Sequence, residues 1–187
     1  MLMNPFRKRD DAFSLVVGMT GVKMGDRLVH VGCADAARLA AVAGKVGLSG
    51  RAVAVVGDEG ESTRLQQAAS RAGVLVDTEV APPHALPFES DAFDLAIIDD
   101  GAGLFAQMSP ADRAATVREV ARVLRPGGRI MVIGSTARTG MGALWSRQPV
   151  APPFDPTATL QADVFRTVRT LAERDGYVFY EGMKPRR

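Results

Sequence analysis

Acidic side chains follow two apolar runs of the sequence, and they are the first groups that could do chemistry. Gly57-Asp58-Glu59 follows the run 52–56, and Asp99-Asp100-Gly101 follows the run 93–98. A carboxylate can accept hydrogen bonds from the hydroxyls of a ligand or take a proton from a reacting group. If both runs are strands of one parallel sheet, their carboxyl ends lie at the same edge, where such sheets bind ligands.

A βαβ unit between residues 26 and 59 is predicted to position these groups. Leu28–Val31 and 52–56 are short apolar runs typical of buried strands, and Gly32 ends the first of them. Between the two runs, four residues fall on one face of a helix: Ala36, Leu39, Ala40 and Ala43. Parallel strands joined by a helix in this way belong to a sheet that is covered by helices.

The rest of the chain continues the alternation of helices and strands. Helices are predicted at Asp10–Thr20, Ser62–Ala72, from Ser109-Pro110 to Pro126-Gly127-Gly128, and Thr157–Val164. Strands are predicted at Val74–Val80, Phe93–Ile98 and Arg129–Ile133, with a hairpin of Arg166–Ala172 and Tyr177–Glu181 around Asp175-Gly176. The fold class is therefore α/β: a Rossmann-like, doubly wound sheet of seven strands, mostly parallel, with a C-terminal antiparallel hairpin.

Length and composition predict one domain over residues 1–187, with a loose basic lead at 1–9 and a long loop or lid at 134–156. The net charge of +2 is too small to argue for a nucleic-acid partner. A single cysteine suits a reducing cytoplasm, and no apolar run is long enough for a membrane span. Met141, Leu144 and Trp145 could cover a substrate, form a homodimer surface or belong to ordinary packing.

In this order, three stretches resemble the class I S-adenosylmethionine-dependent methyltransferases: LVHVGCADA, ALPFESDAFDLAIID and REVARVLRPGGRIMVIG. They are similar to the family's glycine-rich first motif, its fourth-strand region and its PGG turn with the fifth strand. The likeness covers nearly the whole chain and is closest in style to the small-molecule enzymes of the quinone-biosynthesis type. The resemblance implies S-adenosyl-L-methionine as cofactor and a small molecule as methyl acceptor.

The resemblance also implies cofactor-binding residues in the loops after the first three strands. They are Gly32, Cys33 and Ala34 in the first loop, Asp58 or Glu59 for the ribose in the second, and Ala85 and Leu86 beside the adenine in the third. For Asp58 and Glu59, a solvated turn is the equal alternative.

The sequence departs from the family pattern at several of these places. His30 stands where the family has an acid, Ala34 and Ala36 replace glycines, and Val56 occupies the position of the ribose acid. A neutral imidazole cannot match a carboxylate that faces an ammonium group. A catalytically inactive binding or scaffold protein on the same fold is therefore the alternative function. A dinucleotide-binding protein is disfavoured, because only the first glycine of G-x-G-x-x-G is present.

Asp99 and Asp100 end the fourth strand, beside the place where the resemblance puts the methyl acceptor. Catechol-type relatives carry a magnesium-binding aspartate there. Magnesium prefers several oxygen ligands, and GSTART stands after the fifth strand instead of a matching Asp-Asn pair, so no metal site is predicted. Asp99 is predicted as the catalytic residue, either as general base or as hydrogen-bond acceptor toward the substrate.

Overall fold

A computed structural model describes residues 13–136 and 154–186. Six helices lie in these ranges: α1 (Ser14–Thr20), α2 (Ala36–Val46), α3 (Glu59–Ala72), α4 (Leu104–Gln107), α5 (Pro110–Val123) and α6 (Thr157–Asp163). Seven strands lie there too: β1 (Arg27–Val31), β2 (Arg51–Val56), β3 (Asp77–Val80), β4 (Phe93–Asp100), β5 (Leu124–Ser135), β6 (Arg166–Arg174) and β7 (Tyr177–Met183).

The seven strands form one sheet in the order β3-β2-β1-β4-β5-β7-β6. Neighbours from β3 to β5 are parallel, while β7 runs antiparallel to both β5 and β6. The predicted fold class is confirmed. Because β1 and β4 are neighbours although they are distant in sequence, the loops after β1, β2 and β4 meet at one edge of the sheet.

Alternating residues of the strands supply apolar clusters on both faces of the sheet. Val29 and Val31 of β1 pack in one cluster with Val117 of α5. Leu28 packs with Val42 of α2 in a cluster on the other face. Helices therefore cover both faces of the parallel strands, which explains why these strands read as continuous apolar runs rather than as an alternating pattern.

Polar side chains fix the N-termini of the helices that border the carboxyl edge. Asp35 accepts hydrogen bonds from the N–H groups of the second and third residues of α2. Asp58 accepts the N–H of Glu61 at 2.8 Å and so caps α3. Ser109 caps α5, with Pro110 in its first turn as predicted. These caps satisfy backbone N–H groups that helices leave unpaired at their first turns.

Asp58→Ala should lower the free energy of unfolding by about 1 kcal/mol, because the N-terminal N–H of α3 loses its side-chain acceptor. Urea denaturation monitored by circular dichroism measures this loss. Glu59→Ala is the comparison, since Glu59 lies in the first turn without being the capping residue. Equal stability of Asp58→Ala and the unaltered protein would show that the cap contributes nothing.

Several predicted boundaries differ from the structure. Helix α3 begins at Glu59 rather than Ser62, because the Asp58 cap starts it earlier. Strand β3 begins at Asp77 rather than Val74. The short helix α4 was not predicted. Predicted features at residues 1–12 and 137–153, including the lead and most of the long loop, lie outside the described residues.

The prediction that Pro126-Gly127-Gly128 ends α5 is wrong, because α5 already ends at Val123 and β5 begins at Leu124. The three residues lie inside the bounds of β5. A Cβ atom on Gly128 would lie 2.8 Å from the carbonyl oxygen of Arg125, so this bend of the strand requires glycine.

No helix of the described ranges is both long and apolar enough to span a bilayer.

Candidate functional site

A cavity of about 210 Å³ lies at the carboxyl edge of the sheet, between the loops that follow β1, β2, β3 and β4. Its lining comes from all four loops: Gly32, Cys33, Ala34, Val55, Val56, Gly57, Glu61, Ala81, Pro83, Asp99, Ala102, Leu104 and Gln107. This is the edge at which an open α/β sheet binds its ligands.

Gly32 forms the floor of the cavity in a conformation that favours glycine. Its φ angle is +81°, and its N–H donates to the carbonyl oxygen of Val55. A Cβ atom there would lie 3.2 Å from both the carbonyl oxygen of Asp99 and a methyl carbon of Leu104. The loop after β1 therefore passes close to β4 only because residue 32 has no side chain.

Asp99 holds this loop from the end of β4. Its Oδ2 accepts the N–H of Ala34 at 3.0 Å, and its Oδ1 accepts the N–H of Gly101 at 3.1 Å. A guanidinium nitrogen of Arg38 donates to both carboxylate oxygens at 2.6 Å. The Asp99 side chain is fully buried, so its acceptor capacity is used inside the protein.

Arg38 reaches Asp99 from the first turn of α2, and its side chain is only 5% exposed. Its guanidinium also lies 5.3 Å from the ring centroid of Tyr177, within the range of a cation–π contact. Burial alone would lower the pKa of Arg38, but the charge of Asp99 holds it above its ordinary value. The Nε atom is buried without a hydrogen-bond partner in the described part of the chain.

His30 lies behind the loop and does not plug the cavity. It is buried, and its Nδ1 lies 3.0 Å from the carbonyl oxygen of Gly32. Burial lowers the pKa of His30, against the opposing charge of Asp99, so the ring is neutral at pH 7. Because a carbonyl oxygen only accepts hydrogen bonds, Nδ1 carries the proton.

Glu61 is the acid that the structure brings to the end of β2. It comes from the first turn of α3, lines the cavity, and its Oε2 accepts the N–H of Gly57 at 2.9 Å. Sequence reasoning missed it, because only residues directly after the strand were considered. The signal was present: Asp58 with a glutamate three residues later is the spacing of a capping box, whose glutamate turns back toward the strand.

Comparison with known families decides the identity of the fold. A family model described as "Methyltransferase domain" matches residues 29–132, more than half of the chain. The chain belongs to this methyltransferase family. The resemblance to the class I S-adenosylmethionine-dependent enzymes is confirmed, and S-adenosyl-L-methionine is the cofactor of that family.

Solved structures similar to this methyltransferase domain share its fold. A SAM-dependent methyltransferase from Aquifex aeolicus has a TM-score of 0.74 and 18% identity, over 97% of this chain and 94% of that chain. A SAM-dependent O-methyltransferase from Thermotoga maritima has a TM-score of 0.68 and 18% identity, over 100% and 68%. The [4+2]-cyclase SpnF has a TM-score of 0.70 and 20% identity, over 94% and 80%. Because one of the three is a cyclase, the fold alone does not determine the reaction.

A curated relative from Streptomyces fradiae is described as an uncharacterized 37.1 kDa protein in transposon TN4556. It is 31% identical over 121 residues, which cover 64% of this chain and 33% of the relative. The methyltransferase domain thus matches about a third of the length of that protein.

The structure brings four of the predicted site residues of the methyltransferase domain together: Gly32, Cys33, Ala34 and Asp99 all line the cavity. Burial and the nearby charge of Asp99 raise the pKa of the Cys33 thiol to about 11. The thiol is therefore neutral at pH 7 and is not an activated nucleophile.

The other four predicted residues do not line the cavity. Asp58 caps α3, and the neighbouring Glu59 is exposed. Ala85 is exposed, while Leu86 is buried in the apolar cluster and its N–H donates to Glu119. After β3, the cavity wall is formed instead by Ala81 and Pro83.

Asp100 lies beside Asp99 but points to the opposite face of the sheet. It is 4% exposed, and its Oδ1 accepts the N–H of Phe105 at 2.7 Å. Burial raises the pKa of Asp100 to about 6, helped by the charge of Asp99 and opposed by the Phe105 N–H. Within residues 13–136 and 154–186, no three His, Cys, Asp or Glu side chains converge as a metal site would require.

Proposed function

We propose that this domain transfers a methyl group from S-adenosyl-L-methionine to a small molecule. Membership of the methyltransferase family supports the reaction. The balance of 23 Lys and Arg against 21 Asp and Glu supports an acceptor other than a polyanion, because nucleic-acid binding relies on an excess of cations. The cytoplasm as location and a homodimer as assembly stay predictions from the sequence.

The observation that carries the proposal is the Glu61 carboxylate at the end of β2, inside a cavity floored by Gly32. Only Oε2 of Glu61 receives the Gly57 N–H, and the carboxylate has further acceptor positions for ligand hydroxyls. Val56, Ala81 and Pro83 add apolar walls on the same side. An acid next to apolar walls fits the ribose and adenine of a nucleoside.

In this arrangement, Glu61 would hold the ribose hydroxyls, and Val56, Ala81 and Pro83 would enclose the base. Gly32 and Ala34 would line the path of the chain that leads to the sulfur, with Cys33 beside them. When bound, S-adenosyl-L-methionine supplies a methyl group on a positively charged sulfur. The task of the protein is to orient that group toward the acceptor and to exclude water.

Of the two acids that end β4, Asp99 lines the cavity and Asp100 does not. Asp99, predicted as the catalytic residue, has its oxygens bonded to Arg38 and to two backbone N–H groups, which suits a residue that positions the loop. Asp100 is buried outside the cavity lining, and its Oδ1 accepts the N–H of Phe105, so we assign it no contact with the acceptor.

Calorimetry with S-adenosyl-L-homocysteine and S-adenosyl-L-methionine tests the proposal. At about 100 times its dissociation constant, either ligand should add roughly 2.7 kcal/mol to stability, which thermal unfolding also detects. Absence of binding at millimolar ligand would favour the alternative, a scaffold protein on the same fold without cofactor chemistry.

Glu61→Gln should weaken the binding of S-adenosyl-L-homocysteine at least tenfold. Hydrogen bonds to a charged acceptor contribute roughly 1.5–3 kcal/mol, and a glutamine can still accept the Gly57 N–H, so α3 keeps its start. Calorimetry gives the dissociation constants. Glu173→Gln, an exposed position on β6, is the control.

Glu59→Gln tests whether Glu61, or instead Glu59 as the resemblance implied, holds the ribose. If Glu59→Gln weakens binding and Glu61→Gln does not, the ribose is held by the residue directly after the strand end, as the resemblance implied. Unchanged affinity in both variants would remove both glutamates from the site.

A further inference from the structure

The two ends of the cavity differ in the hydrogen-bonding groups that they offer. One end, beside β2 and β3, contains Val56, Glu61 and Pro83, and the other, beside β4, contains Asp99 and Leu104. Strand β1 lies between β2 and β4, so the two ends are two strand spacings, roughly 10 Å, apart. If the ribose lies at Glu61, the amino-acid part of the cofactor points toward the β4 end.

At the β4 end, the polar groups are bonded to one another. The N–H groups of Ala34 and Gly101 donate to Asp99, whose carboxylate also receives Arg38. The side-chain amide of Gln107 donates to the carbonyl oxygen of Ala102. In the described part of the chain, this end therefore offers few free donors or acceptors to a ligand.

Among residues 13–136 and 154–186, those at the same end of the cavity carry no net charge. The negative charge of Asp99 is matched by the positive charge of Arg38 at 2.6 Å. His30 and the Cys33 thiol, both behind or beside the loop, are neutral at pH 7. Asp35 is not part of the lining and is used as the cap of α2.

An amino-acid group carries both an ammonium and a carboxylate, and each loses hydration when it enters a protein. That loss is offset only where the protein supplies hydrogen-bond partners or an opposite charge. Glu61 supplies such a partner at the nucleoside end. At the β4 end, the Asp99 carboxylate already accepts hydrogen bonds from Ala34 and Arg38. The cavity volume of about 210 Å³ is also below the 300–1,000 Å³ range usual for ligand pockets, so it fits part of the cofactor rather than the whole.

We propose that this site recognises its ligand through the nucleoside, and that the amino-acid part contributes little to affinity. The site should therefore not require the zwitterionic amino-acid group of its ligand for tight binding. 5′-Methylthioadenosine, a nucleoside thioether without the amino-acid group, binds almost as tightly as S-adenosyl-L-homocysteine. This inference rests on the proposed function, since it takes the cavity to be the cofactor site.

Calorimetry on the full chain with both nucleosides tests the inference. We expect the two dissociation constants to agree within about tenfold, and a larger preference for S-adenosyl-L-homocysteine overturns the inference while leaving the proposed function intact. If neither compound binds at millimolar concentration, the proposed function fails together with it.

A variant gives a second measurement that does not depend on the absolute affinities. Glu61→Gln should weaken the binding of both compounds by the same factor, because both carry the ribose. If the variant weakens S-adenosyl-L-homocysteine alone, Glu61 contacts the amino-acid part, and the inference is wrong. The exposed exchange Glu173→Gln should leave both constants unchanged.

Discussion

Replacing Arg38 with methionine should lower the free energy of unfolding by about 3–5 kcal/mol, the largest loss that we expect from a single exchange at this site. Methionine fills similar space but leaves the Asp99 carboxylate, whose side chain is fully buried, without its opposite charge. Removing one partner of a buried ion pair is costly because the remaining charge stays in a medium that solvates it poorly. Urea denaturation at pH 7 measures the loss.

Two further variants show whether the loss comes from the unpaired charge. Arg38→Met combined with Asp99→Asn removes both charges, and we expect it to recover much of the stability, since an amide oxygen still accepts the Ala34 N–H. Arg51→Met is the matched control, because Arg51 and Asp77 form an exposed pair at 3.0 Å that should contribute less than about 1 kcal/mol. Equal losses in Arg38→Met and Arg51→Met would contradict the argument.

The Arg38–Asp99 pair also explains how this chain keeps a tight loop after β1 with a single glycine. In the resemblance, the second and third glycine positions of the motif are Ala34 and Ala36. Asp99 compensates by accepting the Ala34 N–H, which ties the loop to the end of β4. Arg38 offsets the burial of that carboxylate by placing a positive charge 2.6 Å from it.

The sheet could be predicted from the sequence because its cause is local. Strands covered on both faces, such as 52–56 and 93–98, consist of consecutive apolar residues, and this pattern needs no knowledge of the partner strands. The antiparallel hairpin was predictable for a similar reason, since Asp175-Gly176 is a turn signal between two β-rich runs.

The chemistry of the site was less predictable, because it depends on groups that are distant in sequence. Arg38 and Asp99 are separated by 61 positions, and nothing in the α2 pattern distinguishes a buried arginine from a solvent-exposed one. The bend at Pro126-Gly127-Gly128 was assigned wrongly because a local signal was misleading. Proline and glycine commonly end a helix, but here they lie inside β5, which begins at Leu124.

The position of Glu61 was partly predictable, unlike the Arg38–Asp99 pair and less directly than the strands. It does not directly follow the strand, so the residues next to the strand end do not reveal it. Its spacing of three positions from Asp58 is a local pattern and predicts a capping box. An acid can therefore reach the end of β2 from the first turn of the following helix. For a chain with Val56 at the usual position of the ribose acid, the first turn of α3 is the place to look for a substitute.

Asp100→Asn should stabilise the protein at neutral pH by roughly 3 kcal/mol and leave its stability unchanged below about pH 4. The folded protein raises the pKa of Asp100 from 3.8 to about 6, mainly through burial. Between these two pH values the folded state holds a proton that the unfolded state has lost, so stability falls as the pH rises through this window. The rise in pKa corresponds to roughly 3 kcal/mol once the pH is above both values.

The asparagine variant has no such penalty, because its side chain is neutral at every pH and its carbonyl oxygen can still accept the Phe105 N–H. The measurement is the difference in unfolding free energy between variant and unaltered protein from pH 3.5 to 7.5, by urea denaturation. Asp175→Asn is the matched control in the exposed hairpin turn, where the difference should stay small at all pH values. A difference for Asp100→Asn that does not change with pH would mean that burial does not hold the proton on this carboxyl group.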